Sequence, residues 1–350
     1  MKKTGTFAIL IMMGLITSQA LSMSILVDYT YDTNNFFDTQ EKKDALEAAT
    51  NRYSQIITSS LTAVAPSGNG TTPTGWRIGF SHPASGIFYE VSTAASAASD
   101  PVNFAPPANE YGFGGLAADT WILYAGGRNL LSAGEGGTGT GSNFFATVDD
   151  PNGPYHRGVI STATPGDTFQ DLAAWGGSIA FDTAGTTWHF DHTTAAPTGT
   201  TDFYTIALHE VGHALGLSLS HNQWKDNVTG STFTGSSALA AYNADNGTSL
   251  TGLEMVSSGD PHWKEDTYDS YIFSEANPNL IGTVGTGVLQ DMLMEPSADF
   301  TATVRRLELT NVDVAALQDL GWSVVPEPST SFLLGAGALC LGLRRRRLRQ

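Results

Sequence analysis

The chain is 350 residues long, enough for one large domain or two ordinary ones, and its single cysteine, Cys340, excludes a disulfide framework or a cysteine nucleophile in its body. Its 34 acidic residues against 17 basic ones give a net charge of −17, which argues against nucleic acid and anionic membrane surfaces as partners and favours divalent cations. The 38 glycines and 15 prolines describe a loop-rich globular chain.

Met1-Lys2-Lys3, the apolar run from Phe7 to Ile16 and the small residues up to Ala20 read as a secretory signal, residues 1–22, cleaved after Ala20 or Ser22. A strand is expected from Ser24 to Tyr31. A helix follows from Thr39 to Leu61, capped by Thr39 and with Leu46, Ala49, Tyr53, Ile56 and Ile57 at helical spacing. Trp76–Phe80 and Thr120–Ala125 read as strands, whereas 92–108 and the glycine-rich 126–141 read as loops. Asp149-Asp150-Pro151-Asn152-Gly153 reads as a turn rather than a calcium loop. Gly176–Asp182 is expected to be a strand. On a strand, His189 and His192 would face opposite sides and form no joint metal site.

The stretch that organises the chain is His209-Glu210-Val211-Gly212-His213-Ala214-Leu215-Gly216, behind the apolar run Phe203–Leu208. On a helix capped by Thr201 or Asp202, His209 and His213 lie one turn apart on one face and can grip one metal ion. Glu210 then stands to the side, where it can reach a water without being a ligand. Gly216 suits a left-handed helix end. Downstream, Ala238–Tyr242 is a short helical piece, and Thr310 caps a helix to Leu320 that Gly321 ends. Residues 24–324 read as one domain.

Val325-Pro326-Glu327-Pro328 then precedes an apolar run, Phe332–Leu343, and the cluster Arg344–Arg347 with Arg349. This pattern over 325–350 resembles the PEP-CTERM class of bacterial sorting signals, which implies processing by an exosortase at Pro-Glu-Pro. The apolar run is expected to form a transmembrane helix, marginal in length, with the arginines on the cytoplasmic side. Loss of both ends leaves 10 of the 17 basic residues, so the exported body is strongly acidic. Its expected place is the cell envelope, cell surface or extracellular matrix of a bacterium.

His209-Glu210-x-x-His213-x-x-Gly216, followed by Leu293-Met294-Glu295-Pro296, resembles the metzincin clan of zinc metalloproteases. Gly177–Asp182 and Asp313–Trp322 resemble its matrixin-like members. The resemblance implies an α+β zincin fold with a twisted mixed sheet, an active-site helix and a C-terminal helix. It also implies catalytic Zn2+, Glu210 as general base, a protein or peptide substrate, and Met294 beneath the metal. In the clan's usual spacing the third ligand falls three residues after the glycine, where this chain has Leu219. His221 and His262 are the candidates. Phe233-Thr234-Gly235 and Gly259-Asp260-Pro261-His262-Trp263 resemble leishmanolysin-like metzincins, which carry a long insertion there, and this favours His262. The matrixin resemblance also makes Asp182 a candidate ligand for structural Ca2+. A monomeric zinc endopeptidase is the leading expectation. A zinc hydrolase of non-peptide bonds and a surface or matrix protein with a structural zinc are the alternatives, the latter disfavoured by Glu210, since a structural site needs no base.

Overall fold

A computed structural model describes residues 23–63, 76–92, 116–138, 140–143, 157, 174–218, 222–258, 260–265, 267–273, 289–297 and 306–325. The longer strands are β1 (Ser24–Asp28), β2 (Trp76–Ser81), β3 (Phe88–Ser92), β4 (Thr120–Arg128), β5 (Gly134–Thr138), β6 (Thr140–Asn143) and β7 (Gly176–Asp182). The helices are α1 (Gln40–Ile56), α2 (Phe203–Ala214), α3 (Asn222–Asp226), α4 (Ser236–Asn246) and α5 (Asn311–Asp319), with short ladders of two or three residues between them.

The central sheet runs β1-β4-β7-β5, with β1, β4 and β7 parallel and β5 antiparallel at the edge. Side chains alternate across β4 as a strand covered on both faces requires. Trp121, Leu123 and Ala125 enter the main core, together with α1 and α2. Ile122 and Tyr124 point the other way, to Tyr31, Trp175 and Phe80 of β2, whose own sheet is β3-β2-β6. Phe36, Phe37, Phe181, Phe190, Phe203 and Trp188 form one aromatic cluster against the start of α2. The arrangement is a mixed α/β fold whose sheet supports α2 from one side.

Several expectations shift at their edges. The first strand stops at Asp28, whose carboxylate accepts the Thr30 N–H (2.7 Å) and starts a turn. α1 is capped as expected, Thr39 accepting from Lys42 N, but ends at Ile56 rather than Leu61. Residues 57–61 are drawn into tertiary pairing instead. Ile57 bridges Val324, Thr58 N–H donates to Ser323 O (2.7 Å), and Leu61 O accepts from Asp119 N (2.8 Å). Long-range pairing here outweighs helical spacing. Gly126–Gly141, read as a loop, contains the end of β4, all of β5 and the start of β6; Gly126, Gly127, Gly134 and Gly136 stand where a Cβ would crowd a neighbouring element, so glycine replaces the apolar alternation of an ordinary strand. The Asp149–Gly153 turn and most of the 92–108 loop lie outside the described residues.

The two ends of the described body meet at one place. Met23 N–H donates to Ile57 O (3.4 Å) and Val325 N–H to Ile56 O (2.8 Å), both at the C-terminus of α1. No helix among the described residues is long and apolar enough to cross a membrane. The transmembrane helix expected at Phe332–Leu343 is therefore corrected. That run lies outside the described residues, and it falls short of the ~20 apolar residues that spanning a bilayer as a helix requires.

Candidate metal centre

α2 begins on a fixed point. Asp202 is wholly buried and caps the helix by accepting Thr205 N–H (3.1 Å) and Thr205 Oγ1 (2.8 Å). Its two oxygens also receive Arg306 Nε (2.9 Å) and Nη2 (2.6 Å), a two-pronged pair that a guanidinium makes well. Arg306 donates further to the carbonyls of His192 (2.5 Å), Thr194 (2.9 Å) and Asp191 (3.3 Å). The charges are thus both desolvated and hydrogen-bonded, as burial demands.

The far end of α2 is a Schellman turn. Gly216, at φ +110°, donates to His213 O (3.0 Å), and Leu217 N–H donates to Gly212 O (3.1 Å). Trp322 Nε1 satisfies Leu215 O (2.8 Å). The turn has a chemical result: it swings Leu217 O to within 2.6 Å of His213 Nδ1. The ring is held by the same glycine that stops the helix.

His209 is held similarly, its Nδ1 2.7 Å from Leu293 O in the turn that carries Met294. Met294 is fully buried beneath α2, and a Cβ on Gly212 would stand 2.8 Å from its sulfur and 2.9 Å from Tyr53 Oη. Asp313, in the first turn of α5, fixes that turn by accepting Leu293 N (3.0 Å) and Met294 N (3.4 Å). It also completes a capping box with Thr310.

His262 arrives from a different part of the chain. Trp263 is buried, its N–H donates to Met294 O (3.0 Å), and its indole N–H donates to Asp313 Oδ1 (3.1 Å). These bonds set the preceding residue over α2. His262 Nε2 lies 3.2 Å from His209 Nε2 and 3.0 Å from His213 Nε2, and its Nδ1 is 2.6 Å from Asp260 Oδ1. His221, the other candidate, lies outside the described residues.

The tautomers follow from the partners. A carbonyl oxygen only accepts, so Nδ1 of His209 and of His213 carries the proton, and the carboxylate of Asp260 requires the same of His262. Burial, and then the neighbouring His262, lowers the His209 pKa to about 4. Burial, with His209 and His262, holds His213 well below the ordinary histidine range. Neutral rings protonated at Nδ1 aim bare lone pairs at one another across 3.0–3.2 Å. Such an arrangement repels itself unless an electron-pair acceptor stands between. The spacing also fits, because two nitrogens held tetrahedrally at ~2.0–2.1 Å from zinc are ~3.3 Å apart. This triad is the one cluster among the described residues that could hold a metal ion.

The Glu210 carboxyl packs against β5 and lines the same cavity as the three rings. Gly134 and Gly136 leave room for it: a Cβ on the first would fall 2.6 Å from Glu210 Oε1, and on the second 2.2 Å from the Glu210 carbonyl oxygen. Burial pushes its carboxyl up to about 8, opposed by a hydrogen bond from the Gly136 backbone and reinforced by the charge of Glu135. A cavity of about 290 Å3 opens between β5 and the Leu293–Pro296 turn, lined also by Ile206 and the three histidines.

Residues 157–245 match the Matrixin family. That match spans β7, α2 and the histidines His209 and His213, and ends before His262. Residues 324–347 match the PEP-CTERM protein-sorting motif. No curated protein matches the chain. The Matrixin match supports a metalloprotease at the level of family and implies zinc, for which the triad is a fitting donor set. The sorting motif indicates export and attachment to the envelope or surface of a bacterial cell, and it implies recognition by an exosortase.

The calcium expectation finds no support. Both oxygens of Asp182 are occupied by Leu130 N (3.0 Å), Ala184 N (3.1 Å), Thr186 N (3.0 Å) and Thr186 Oγ1 (2.9 Å), so this carboxylate closes a turn. His189 contacts Thr194 and belongs to no metal-ligating cluster among the described residues. Sequence reasoning misses the roles of Asp260, Asp313 and the two β5 glycines. Asp260 stands in the stretch that points to His262, but nothing in one sequence distinguishes its carboxylate from that of any other exposed turn.

Proposed function

We propose that the chain is an exported zinc-dependent endopeptidase, with residues 24–324 as its catalytic domain. His209, His213 and His262 hold the metal and Glu210 is the general base. The observation that carries this reading is the convergence of three imidazole Nε2 atoms, each ring fixed through Nδ1, beside a buried carboxyl group that is not one of the ligands. Zinc bound there supplies Lewis acidity, which acidifies water and polarises a carbonyl.

The chain's own residues supply the rest. Glu210 takes a proton from the attacking water and returns it to the leaving amine nitrogen. Its carboxylate form is favoured by any divalent cation in the triad, against the effect of burial. β5 ends the central sheet and borders the cavity, so an extended peptide can lie along its backbone as an added strand. A purely structural zinc site would have no use for a base and would close its fourth position with another ligand.

Glu210→Gln keeps the size of the side chain and removes the base. Zinc content should remain at the level of the unsubstituted protein, while casein or gelatin hydrolysis falls about 10²–10⁴-fold. Full hydrolysis by this variant removes the mechanism. An unsubstituted protein that holds zinc and cleaves neither protein returns the structural reading, and cleavage of another ester or amide alone returns the non-peptide hydrolase.

A further inference from the structure

We propose that Asp260 is a positioning residue of the metal centre, whose carboxylate orients His262 and strengthens it as a donor. This rests on the reading of His209, His213 and His262 as metal ligands.

The three rings are supported unequally. His209 and His213 stand on one helix and lean on backbone carbonyls, which no side-chain change removes. His262 sits in a hairpin that is closed by Val256 N–H to His262 O (3.1 Å) and Asp260 N–H to Ser257 O (3.2 Å). Its side chain is 21% exposed and that of Asp260 is 32% exposed, so packing alone does little to fix the ring. Of the three rings, His262 is the one with a carboxylate partner among the described residues. Asp260 Oδ1 accepts both the backbone N–H (3.1 Å) and the ring Nδ1–H (2.6 Å) of His262, which pins that residue at two points and leaves Nε2 facing the other two rings. A carboxylate in this place makes an imidazole a better electron-pair donor than a carbonyl does, and it adds a negative charge to a centre of otherwise neutral donors.

Asp260→Asn keeps both acceptor contacts and removes the charge, and Asp260→Ala removes both. The full chain and the two variants are stripped of metal, and zinc affinity is measured by competition with a chromogenic chelator. Thermal unfolding of the metal-free proteins and the visible spectrum of the Co2+-loaded ones are recorded alongside. Zinc affinity should fall roughly 10–100-fold in Asp260→Asn and at least as far in Asp260→Ala. The metal-free melting temperatures should stay together and the Co2+ spectrum should change, which a merely structural role for Asp260 would not produce. Zinc affinity of Asp260→Asn or Asp260→Ala within twofold of the unsubstituted protein overturns the proposal. Absence of zinc binding by the unsubstituted protein overturns the proposed function, and this inference with it, and is told apart because the failure appears before any substitution.

Discussion

Gly136 and Gly137 are neighbours on β5, and replacing each by alanine separates two effects that usually travel together. At Gly137 a Cβ meets nothing within 4 Å. At Gly136 it falls 2.2 Å from the carbonyl oxygen of Glu210 and 2.9 Å from its carbonyl carbon, both backbone atoms of α2 that no rotamer can move. Ordinary contact requires β5 to retreat by about 1 Å. The retreat weakens the backbone hydrogen bond from Gly136 to the Glu210 carboxylate and strains the β5–β7 ladder. Overpacking of this kind costs about 1–3 kcal/mol, and each kcal/mol lowers the melting temperature by about 2–4 °C in a domain of this size. A displacement of about 1 Å at the base should reduce turnover roughly 10²-fold. Gly137→Ala should melt within a few degrees of the unsubstituted protein and keep its activity. The assay is thermal unfolding by circular dichroism together with casein hydrolysis. If Gly136→Ala behaves as Gly137→Ala does, the close seating of β5 on α2 is refuted.

Two further outcomes follow from carboxylates near the start of α2, one buried and one at the surface. Arg306→Met leaves the Asp202 carboxyl in the core without its guanidinium partner and should cost about 3–5 kcal/mol in chemical denaturation; a loss below ~1 kcal/mol would deny the pair its role in anchoring α2. Asp191 accepts from Thr193 Oγ1, Thr193 N and Thr194 Oγ1, and these bonds, the Thr193 side chain foremost, lower its pKa to about 2. A depressed carboxylate stabilises the fold above its unfolded pKa, and that contribution is lost as pH falls through the folded value. Asp191→Asn should therefore be less stable than the unsubstituted protein near neutrality, and the gap should close between about pH 4 and pH 2 in urea titrations at stepped pH. A gap independent of pH would contradict this.

Much of the site is legible in the amino-acid sequence, because its parts obey local rules. His209, Glu210 and His213 follow from helical periodicity, Asp202 and Thr310 from capping chemistry, and Gly216 from the backbone conformation that a helix end needs. β7 occurs over the residues expected of it. What escapes depends on partners distant in sequence. Ile57–Leu61 carry helical spacing, yet the chain end at Ser323–Val324 and the loop at Asp119 claim their backbone. β5 is Gly-Glu-Gly-Gly-Thr, with no apolar residue to signal a strand, and the reason for glycine at 134 and 136 is a helix far downstream. The choice of His262 over His221 rests on resemblance alone, since its approach to α2 is made by Trp263 bonding to Met294 and Asp313, contacts that no sequence pattern encodes.

The meeting of the two chain ends at the C-terminus of α1 has a mechanical meaning. The chain that leaves the body at Val325 continues into the sorting motif, so any tension on that tail arrives first at the bonds from Val325 to Ile56 and from Thr58 to Ser323. Only after these part does the load reach Trp322, whose indole closes the end of α2. A pull on the tail would meet these bonds before it met the helix that carries His209 and His213.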